Sequence, residues 1–140
     1  MEVKTKLNKV VIIDDDGIHN FLSTKLLNKL KISETLRTFK NANEGLSYIK
    51  NSCQDSEAGV CPDLILLDKV MPEMGAKDIL DELKSSGIHV GKQVRVALIS
   101  SAFKAEECQE FLMMGVLECI SKPLKEEDIN RLIENNFHGD

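Results

Sequence analysis

Four consecutive aliphatic residues, Leu64-Ile65-Leu66-Leu67, run directly into Asp68. An unbroken apolar run of this length, closed shortly afterwards by Pro72, is typical of a strand that is buried on both faces of a parallel sheet. A buried aspartate is rare unless it is paired or bound to a metal. Because open α/β sheets bind ligands at the carboxyl ends of their strands, Asp68 is the first candidate functional residue.

The rest of the chain predicts five alternations of strand and helix. The predicted strands are Lys9–Ile13, Glu34–Phe39, Asp63–Asp68, Val94–Ile99 and Val116–Ile120. This order predicts an α/β fold, a doubly wound five-stranded parallel sheet with helices on both faces. The first, third and fourth strands are the most apolar and should be central, which favours the flavodoxin-like strand order 2-1-3-4-5. The length of 140 residues predicts a single domain.

Three of the predicted helices carry apolar residues at helical spacing, which predicts the face that each one buries. These residues are Ile18, Phe21, Leu22 and Leu26 in the first helix, Ala76, Ile79, Leu80 and Leu83 in the third, and Ile129, Leu132 and Ile133 in the fifth. The fourth helix presents Cys108, Phe111 and Leu112.

Composition and charge exclude several function classes. The net charge is −5, aromatic residues make up 4% of the chain and no basic stripe is present, so a nucleic-acid partner is not expected. No stretch approaches the roughly 20 apolar residues that span a bilayer, and no signal peptide is recognisable, so no membrane partner and a cytoplasmic location are expected. The four cysteines form no CxxC pair and are expected to be free thiols.

Polar side chains follow four of the five predicted strands, and parallel strands end at one edge of a sheet. These residues are Asp14, Asp15 and Asp16, Asp68, Ser100 with Ser101, and Lys122. Taken singly, the aspartate triplet is typical of a helix N-cap, the serines of a turn and the lysine of a solvated loop.

Taken together, the same residues predict a site for phosphoryl transfer. Crowded carboxylates repel one another unless a cation relieves them, and an all-oxygen set suits Mg²⁺. Lys122 and Ser100 supply a positive charge and a hydrogen-bond donor for a phosphoryl group. Asp68 is then either a nucleophile or a metal ligand.

The same residues resemble the receiver domain of two-component response regulators, the chemotaxis-receiver-like family. The resemblance covers residues 9 to about 135 and holds in order and spacing. It is carried by Asp14-Asp15, Asp68 with Met71-Pro72, Ser100, and Lys122-Pro123.

The resemblance implies a role for each matching acidic residue and for the loop after the third strand. Asp68 is expected to be the phosphoacceptor and a metal ligand. Asp15 is expected to bind Mg²⁺ directly, Asp14 through a water molecule, and Val70 through its backbone carbonyl. Asp16 is not carried over as a ligand.

The resemblance also implies the remaining site residues and the partners. Ser100 would be the switch hydroxyl, Lys122 would contact the phosphate, and the Lys122–Pro123 peptide bond would be cis. Residues 1–140 would form one receiver without an output domain, which accepts a phosphoryl group from a sensor histidine kinase or a histidine phosphotransfer protein. An unknown downstream protein would bind the face formed by helix 4, strand 5 and helix 5. Such a domain catalyses its own phosphorylation and dephosphorylation and is not otherwise an enzyme.

Three departures from the family pattern keep other functions open. Cys119 stands where the family usually has an aromatic switch residue, and Gly75-Ala76 replace the common Asp-Gly. These two departures motivate a pseudo-receiver, a protein-binding scaffold without a phosphorylation cycle. Lys69, beside the acceptor, is unusual in charge and is a candidate contact for phosphate or a partner. An aspartyl-phosphate phosphohydrolase of the haloacid dehalogenase type is the third alternative, although such enzymes expect an acid where Val70 stands.

Overall fold

The computed structural model describes residues 7–54 and 61–137, which form five strands and five helices in strict alternation. The strands are β1 Leu7–Ile13, β2 Ser33–Phe39, β3 Leu64–Asp68, β4 Arg95–Ser100 and β5 Glu118–Ser121. The helices are α1 Gly17–Leu30, α2 Ala42–Gln54, α3 Ala76–Ser85, α4 Ala105–Met113 and α5 Glu126–Asn136.

The strands form one parallel sheet in the order β2-β1-β3-β4-β5, as predicted. Residues of β3 are buried along its whole length, because β1 and β4 flank it and helices cover both faces. The more polar β2 and β5 are the two edges. The register pairs Ile13 with Leu67, so that the residues that follow β1 and end β3 lie side by side.

Alternate residues of the strands point into two separate cores. One core contains Val11, Ile13, Ile65 and Leu67 and is covered by apolar residues of α2, α3 and α4. The other contains Val10, Ile12, Leu64 and Leu66 and is covered by α1 and α5. The predicted buried faces of α3 and α5 are confirmed. In α4, Phe111 is buried as predicted, but Leu112 is 44% exposed.

The prediction for α1 was wrong for three of its four residues, because this helix buries a different face; of the four, Leu26 is partly buried against the core. Ile18, Phe21 and Leu22 are 76%, 64% and 50% exposed. The residues that face the sheet are His19, Asn20, Ser23, Leu27 and Leu30. Two of these polar side chains find hydrogen-bond partners at the end of β1, which greatly reduces the penalty for burying them. Apolar spacing alone therefore identified the wrong side of the helix.

The prediction of four free thiols was also wrong. Cys53 in α2 is disulfide-bonded to Cys61, and Cys108 in α4 is disulfide-bonded to Cys119 in β5. The spacing of the cysteines along the chain did not indicate these pairs. Cys108 meets Cys119 because the fold brings α4 over the edge strand β5. Within the described ranges, no helix has the length and apolar character required to cross a membrane.

Candidate functional site

Asp14, Asp68 and Lys122 meet at the carboxyl edge of the sheet. Asp14 directly follows β1, Asp68 is the last residue of the neighbouring β3, and Lys122 directly follows β5. The Nζ of Lys122 lies 3.2 Å from Asp14 Oδ1 and 3.2 Å from Asp68 Oδ2. Both carboxylates are almost completely buried, whereas the lysine side chain keeps 15% of its surface exposed. One ammonium group therefore bridges two buried carboxylates.

Crowding of the two carboxylates separates their affinities for protons. Burial, together with the hydrogen bond to Asp14 and its charge, raises the pKa of Asp68 to about 6. Burial would also raise the pKa of Asp14, but hydrogen bonds from His19 and from the N–H of Asp16 outweigh it and lower this pKa to about 2. Asp68 is thus the member of the pair that holds a proton more readily.

Lys122 responds to the same pair in the opposite sense. Burial alone would lower the pKa of Lys122, but the hydrogen bond and the negative charge of Asp14, together with the Asp68 carboxylate, raise it. The lysine therefore stays charged and partly compensates the acidic cluster.

Asp15 completes a group of three carboxylates. One oxygen each from Asp14, Asp15 and Asp68 lies within 4.8 Å of the other two, and Asp15 is exposed to solvent. Mg²⁺ prefers hard oxygen ligands and keeps several water molecules, which a partly open carboxylate cluster allows. The donor set of this cluster therefore fits Mg²⁺.

Val70 and Ser100 lie at the rim of the cluster. The N–H of Val70 donates to Asp68 Oδ1 at 3.2 Å, and the Val70 side chain is 63% exposed. Ser100 ends β4 and is buried, and its hydroxyl donates to the carbonyl of Ala102 at 3.1 Å. The N–H of Ala102 also donates to the Ser100 Oγ at 3.3 Å. The Ser100 hydroxyl is therefore hydrogen-bonded to the loop that follows β4.

Lys69 does not face the acidic cluster, which differs from the phosphate contact considered from the sequence. Its Nζ donates to the carbonyl of Ala102 and to Glu107 Oε1, both at 2.8 Å, and lies 5.1 Å from the ring centroid of Phe103. The side chain thus joins the loop after β3 to the beginning of α4.

Asp16 caps α1, the ordinary role that an aspartate before a helix predicts. Its Oδ1 accepts hydrogen bonds from the N–H groups of Ile18 and His19, both at 3.1 Å. The Lys122–Pro123 peptide bond is cis, as the family resemblance implied.

Sequence reasoning missed His19. The side chain is buried, its Nδ1 lies 2.8 Å from Asp14 Oδ2, and its Nε2 lies 3.2 Å from the backbone nitrogen of Leu124. Asn20 beside it donates to the Asp14 carbonyl at 2.6 Å. The available signal was a pair of polar residues five and six positions after Asp14, which would have argued for rotating α1.

Comparisons with known sequences indicate the same family as the residues of the site. A family model described as the response regulator receiver domain matches residues 10–134. The two-component response regulator ARR22 of Arabidopsis thaliana is 32% identical over 137 residues, which cover 98% of this chain and 89% of that protein. The transcriptional regulatory protein CitT of Halalkalibacterium halodurans is 25% identical over 130 residues, 93% of this chain but only 52% of that protein.

Comparisons of structure give the same result. A two-component response regulator from Cytophaga hutchinsonii superposes with a TM-score of 0.80 and 25% identity, covering 93% of this chain and 96% of that one. A chain of the CheX-CheY-BeF3-Mg²⁺ complex from Borrelia burgdorferi shares the fold with a TM-score of 0.76, at 22% identity and with coverage of 94% and 90%. The aspartate cluster, the strand order and these matches together show that this chain belongs to the receiver domain family of two-component response regulators.

Proposed function

We propose that this receiver domain accepts a phosphoryl group on Asp68 from a phosphohistidine of a sensor histidine kinase or a histidine phosphotransfer protein. The bond between phosphorus and the imidazole nitrogen of the donor breaks, and a bond forms between phosphorus and a carboxylate oxygen of Asp68. The observation that carries this proposal is the bridge from Lys122 Nζ to Asp14 and Asp68, at 3.2 Å each. This bridge brings the proposed acceptor Asp68, the proposed metal-binding Asp14 and the Lys122 ammonium group together at the carboxyl edge of the sheet.

The surrounding residues fit the needs of this transfer. Asp15, the Val70 carbonyl and, through water, Asp14 would hold Mg²⁺ beside Asp68. When bound, the cation neutralises the crowded carboxylates and the charge of the phosphoryl oxygens. Lys122 already donates a hydrogen bond to Asp68 and would donate one to a phosphoryl oxygen after transfer. Ser100 would exchange its hydrogen bond to Ala102 for one to the phosphoryl group.

The exposed face of α1 supports a protein donor. Ile18, Phe21 and Leu22 are large apolar residues that remain at least half exposed within a few residues of the acidic cluster. Val70, in the loop after Asp68, is exposed as well. Clusters of exposed apolar side chains mark protein interaction sites, so the donor would dock on this helix while its phosphohistidine approaches Asp68.

Output through the face of α4, β5 and α5 to a downstream protein is the second part of the proposal. An aspartyl phosphate carries roughly 1.5 to 2 negative charges in place of the single charge of the carboxylate, and this charge would bias Ser100 and Lys122 toward it. The Cys108–Cys119 disulfide ties α4 to β5 within this face. We therefore expect small changes of structure in α4 relative to β5 while this bond is intact.

The same disulfide favours the second candidate, a scaffold that binds a partner without a phosphorylation cycle. Cys119 has no ring that could turn inward, and its sulfur is bonded to α4. In the scaffold, the acidic cluster would stabilise the fold with a cation and nothing more. Phosphorylation therefore has to be measured directly.

Intact mass measured after incubation with acetyl phosphate and Mg²⁺ tests the acceptor. Wild type should gain one phosphoryl group, and Asp68→Ala should gain none. The matched control is Asp78→Ala, which removes an exposed aspartate from α3 and should be labelled like wild type. Labelling of Asp68→Ala at the wild-type level would overturn the assignment of the acceptor. Wild type that remains unlabelled by acetyl phosphate and by a phosphorylated histidine phosphotransfer domain would favour the scaffold.

A further inference from the structure

His19 is a buried histidine to which the proposed phosphotransfer assigns no role. The residue is 4% exposed and lies on the inner face of α1. Both ring nitrogens have partners, Asp14 Oδ2 at 2.8 Å from Nδ1 and the backbone nitrogen of Leu124 at 3.2 Å from Nε2. The imidazole therefore joins the end of β1 to the loop between β5 and α5.

The two partners determine which nitrogen carries the ring proton. A backbone N–H can only donate, so Nε2 accepts from Leu124 and carries no proton. Nδ1 then carries the proton and donates a hydrogen bond to Asp14, because an ionised carboxylate has no proton of its own to donate. The two partners of the ring therefore favour the tautomer that carries its proton on Nδ1.

These contacts connect His19 both to Asp14 and to the loop that carries Lys122. His19 holds Oδ2 of Asp14, while Lys122 lies 3.2 Å from Oδ1 of the same carboxylate. Leu124, which His19 also binds, is two residues after Lys122 in the chain. Displacing the imidazole would therefore release both the carboxylate and the loop that presents the lysine.

We propose that His19 is a positioning residue for the phosphorylation site, which orients Asp14 toward the cation and holds the loop so that Lys122 reaches Asp68. The inference rests on the proposed function. Substitution of a residue that orients a metal-ligating group typically lowers metal affinity or activity by about 10- to 100-fold. Since His19 is buried behind Asp14, it acts through these two neighbours and not on the phosphoryl group itself.

Three substitutions separate the two contacts. The amide of His19→Asn takes the place of Nδ1, so that it can donate to Asp14 but is too short to reach Leu124. The amide of His19→Gln takes the place of Nε2, so that it can accept from Leu124 but leaves Asp14. His19→Met fills a similar volume and makes neither contact. Ser23→Ala is the matched control, because Ser23 is buried on the same helix face and its hydroxyl has no hydrogen-bond partner among the described residues.

The first measurement is a titration of the unphosphorylated protein with Mg²⁺ alone, followed by amide NMR. We expect His19→Gln and His19→Met to bind Mg²⁺ about tenfold or more weakly, because both lose the contact to Asp14. His19→Asn and Ser23→Ala should bind it like wild type. Equal affinities for all four variants would overturn the role of His19 at Asp14.

The second measurement is the rate of labelling by acetyl phosphate at saturating Mg²⁺. His19→Asn and His19→Met should be about tenfold slower, because the loop carrying Lys122 is released. His19→Gln should keep the wild-type rate. A general loss of packing would lower both properties together in all three variants, and that result would overturn the proposal. If His19→Met does not fold, the opposite behaviour of the Asn and Gln variants still decides the question.

A third measurement uses the metal-free wild type. Long-range ¹H–¹⁵N spectra of the imidazole should find the proton on Nδ1 and none on Nε2. A proton on Nε2 would contradict the contact to Leu124. If wild type accepts no phosphoryl group, the proposed function fails, whereas the ring tautomer and the Mg²⁺ titration still decide whether His19 orients Asp14.

Discussion

Replacing Asp68 by asparagine should stabilise the metal-free fold at pH 7. Burial and the neighbouring Asp14 raise the pKa of Asp68 from 3.8 to about 6. This rise in the pKa corresponds to roughly 3 kcal/mol, because one pKa unit is 1.36 kcal/mol. Ionising this buried carboxyl therefore lowers the free energy of unfolding by up to about that amount, and Asp68→Asn removes the effect while it keeps the shape of the side chain.

The pH dependence gives the sign of the effect. Because the pKa of Asp68 is higher in the folded state, the folded protein binds more protons than the unfolded chain between pH 3.8 and about 6. The free energy of unfolding contributed by Asp68 consequently falls as the pH rises through this window. The advantage of Asp68→Asn should be complete above pH 6 and should vanish toward pH 4.

Urea denaturation of wild type and Asp68→Asn at pH 4 and pH 7, with a chelator present, measures this difference. We expect Asp68→Asn to be more stable by about 1 to 3 kcal/mol at pH 7, because the pKa of about 6 already includes the attraction of Lys122 for the carboxylate. Mg²⁺ should reduce the difference, because a cation that binds the folded wild type stabilises it by mass action.

Asp15→Asn is the matched control for Asp68→Asn, because it removes the same charge from the exposed member of the cluster. Its gain in stability should be smaller than that of Asp68→Asn. The reasoning is refuted if Asp68→Asn is no more stable than wild type at pH 7, or if its advantage is just as large at pH 4.

Four other predictions concern the N-cap of α1, the exposed apolar face of α1 and the cysteines. Asp16→Ala should lower the free energy of unfolding by about 0.5 to 2 kcal/mol in urea denaturation, because the first N–H groups of α1 lose their acceptor. Phe21→Ser, at a position that is 64% exposed, should slow phosphotransfer from a phosphohistidine protein and leave labelling by acetyl phosphate unchanged; equal slowing of both would exclude donor docking on α1. Maleimide should label none of the four cysteines in the native protein and all of them after reduction and unfolding. Replacing Cys108 and Cys119 by serine should lower the free energy of unfolding by about 2 to 3 kcal/mol, as expected for a loop of this length.

The architecture and most of the aspartate cluster were predictable from the amino-acid sequence. Strand runs such as Leu64–Leu67 are apolar throughout, so their burial does not depend on details of packing. Once the strands are parallel, every residue that follows one lies at the same edge, and Asp14 and Asp68 become neighbours by topology alone. The relative polarity of the strands predicted β2 and β5 as the edges, which matches the doubly wound order that the structure has.

Three features could be known only from the tertiary structure. They are the orientation of α1, the pairing of the cysteines and the hydrogen bonds of Val70 and Ser100 at the rim of the cluster. Ile18 and Phe21 have helical spacing, but burying His19 instead allows a hydrogen bond to Asp14 that no local pattern reveals. Cys108 and Cys119 are too far apart in sequence for a motif, and only the packing of α4 on β5 joins them.

What the sequence by itself determined is therefore the fold and the chemical composition of the site, because strand burial and parallel topology depend on residue type and order. Tertiary structure decided the orientation of α1 and the network that joins Asp14, His19 and Leu124, because the buried ring of His19 meets both of its partners only once the chain has folded.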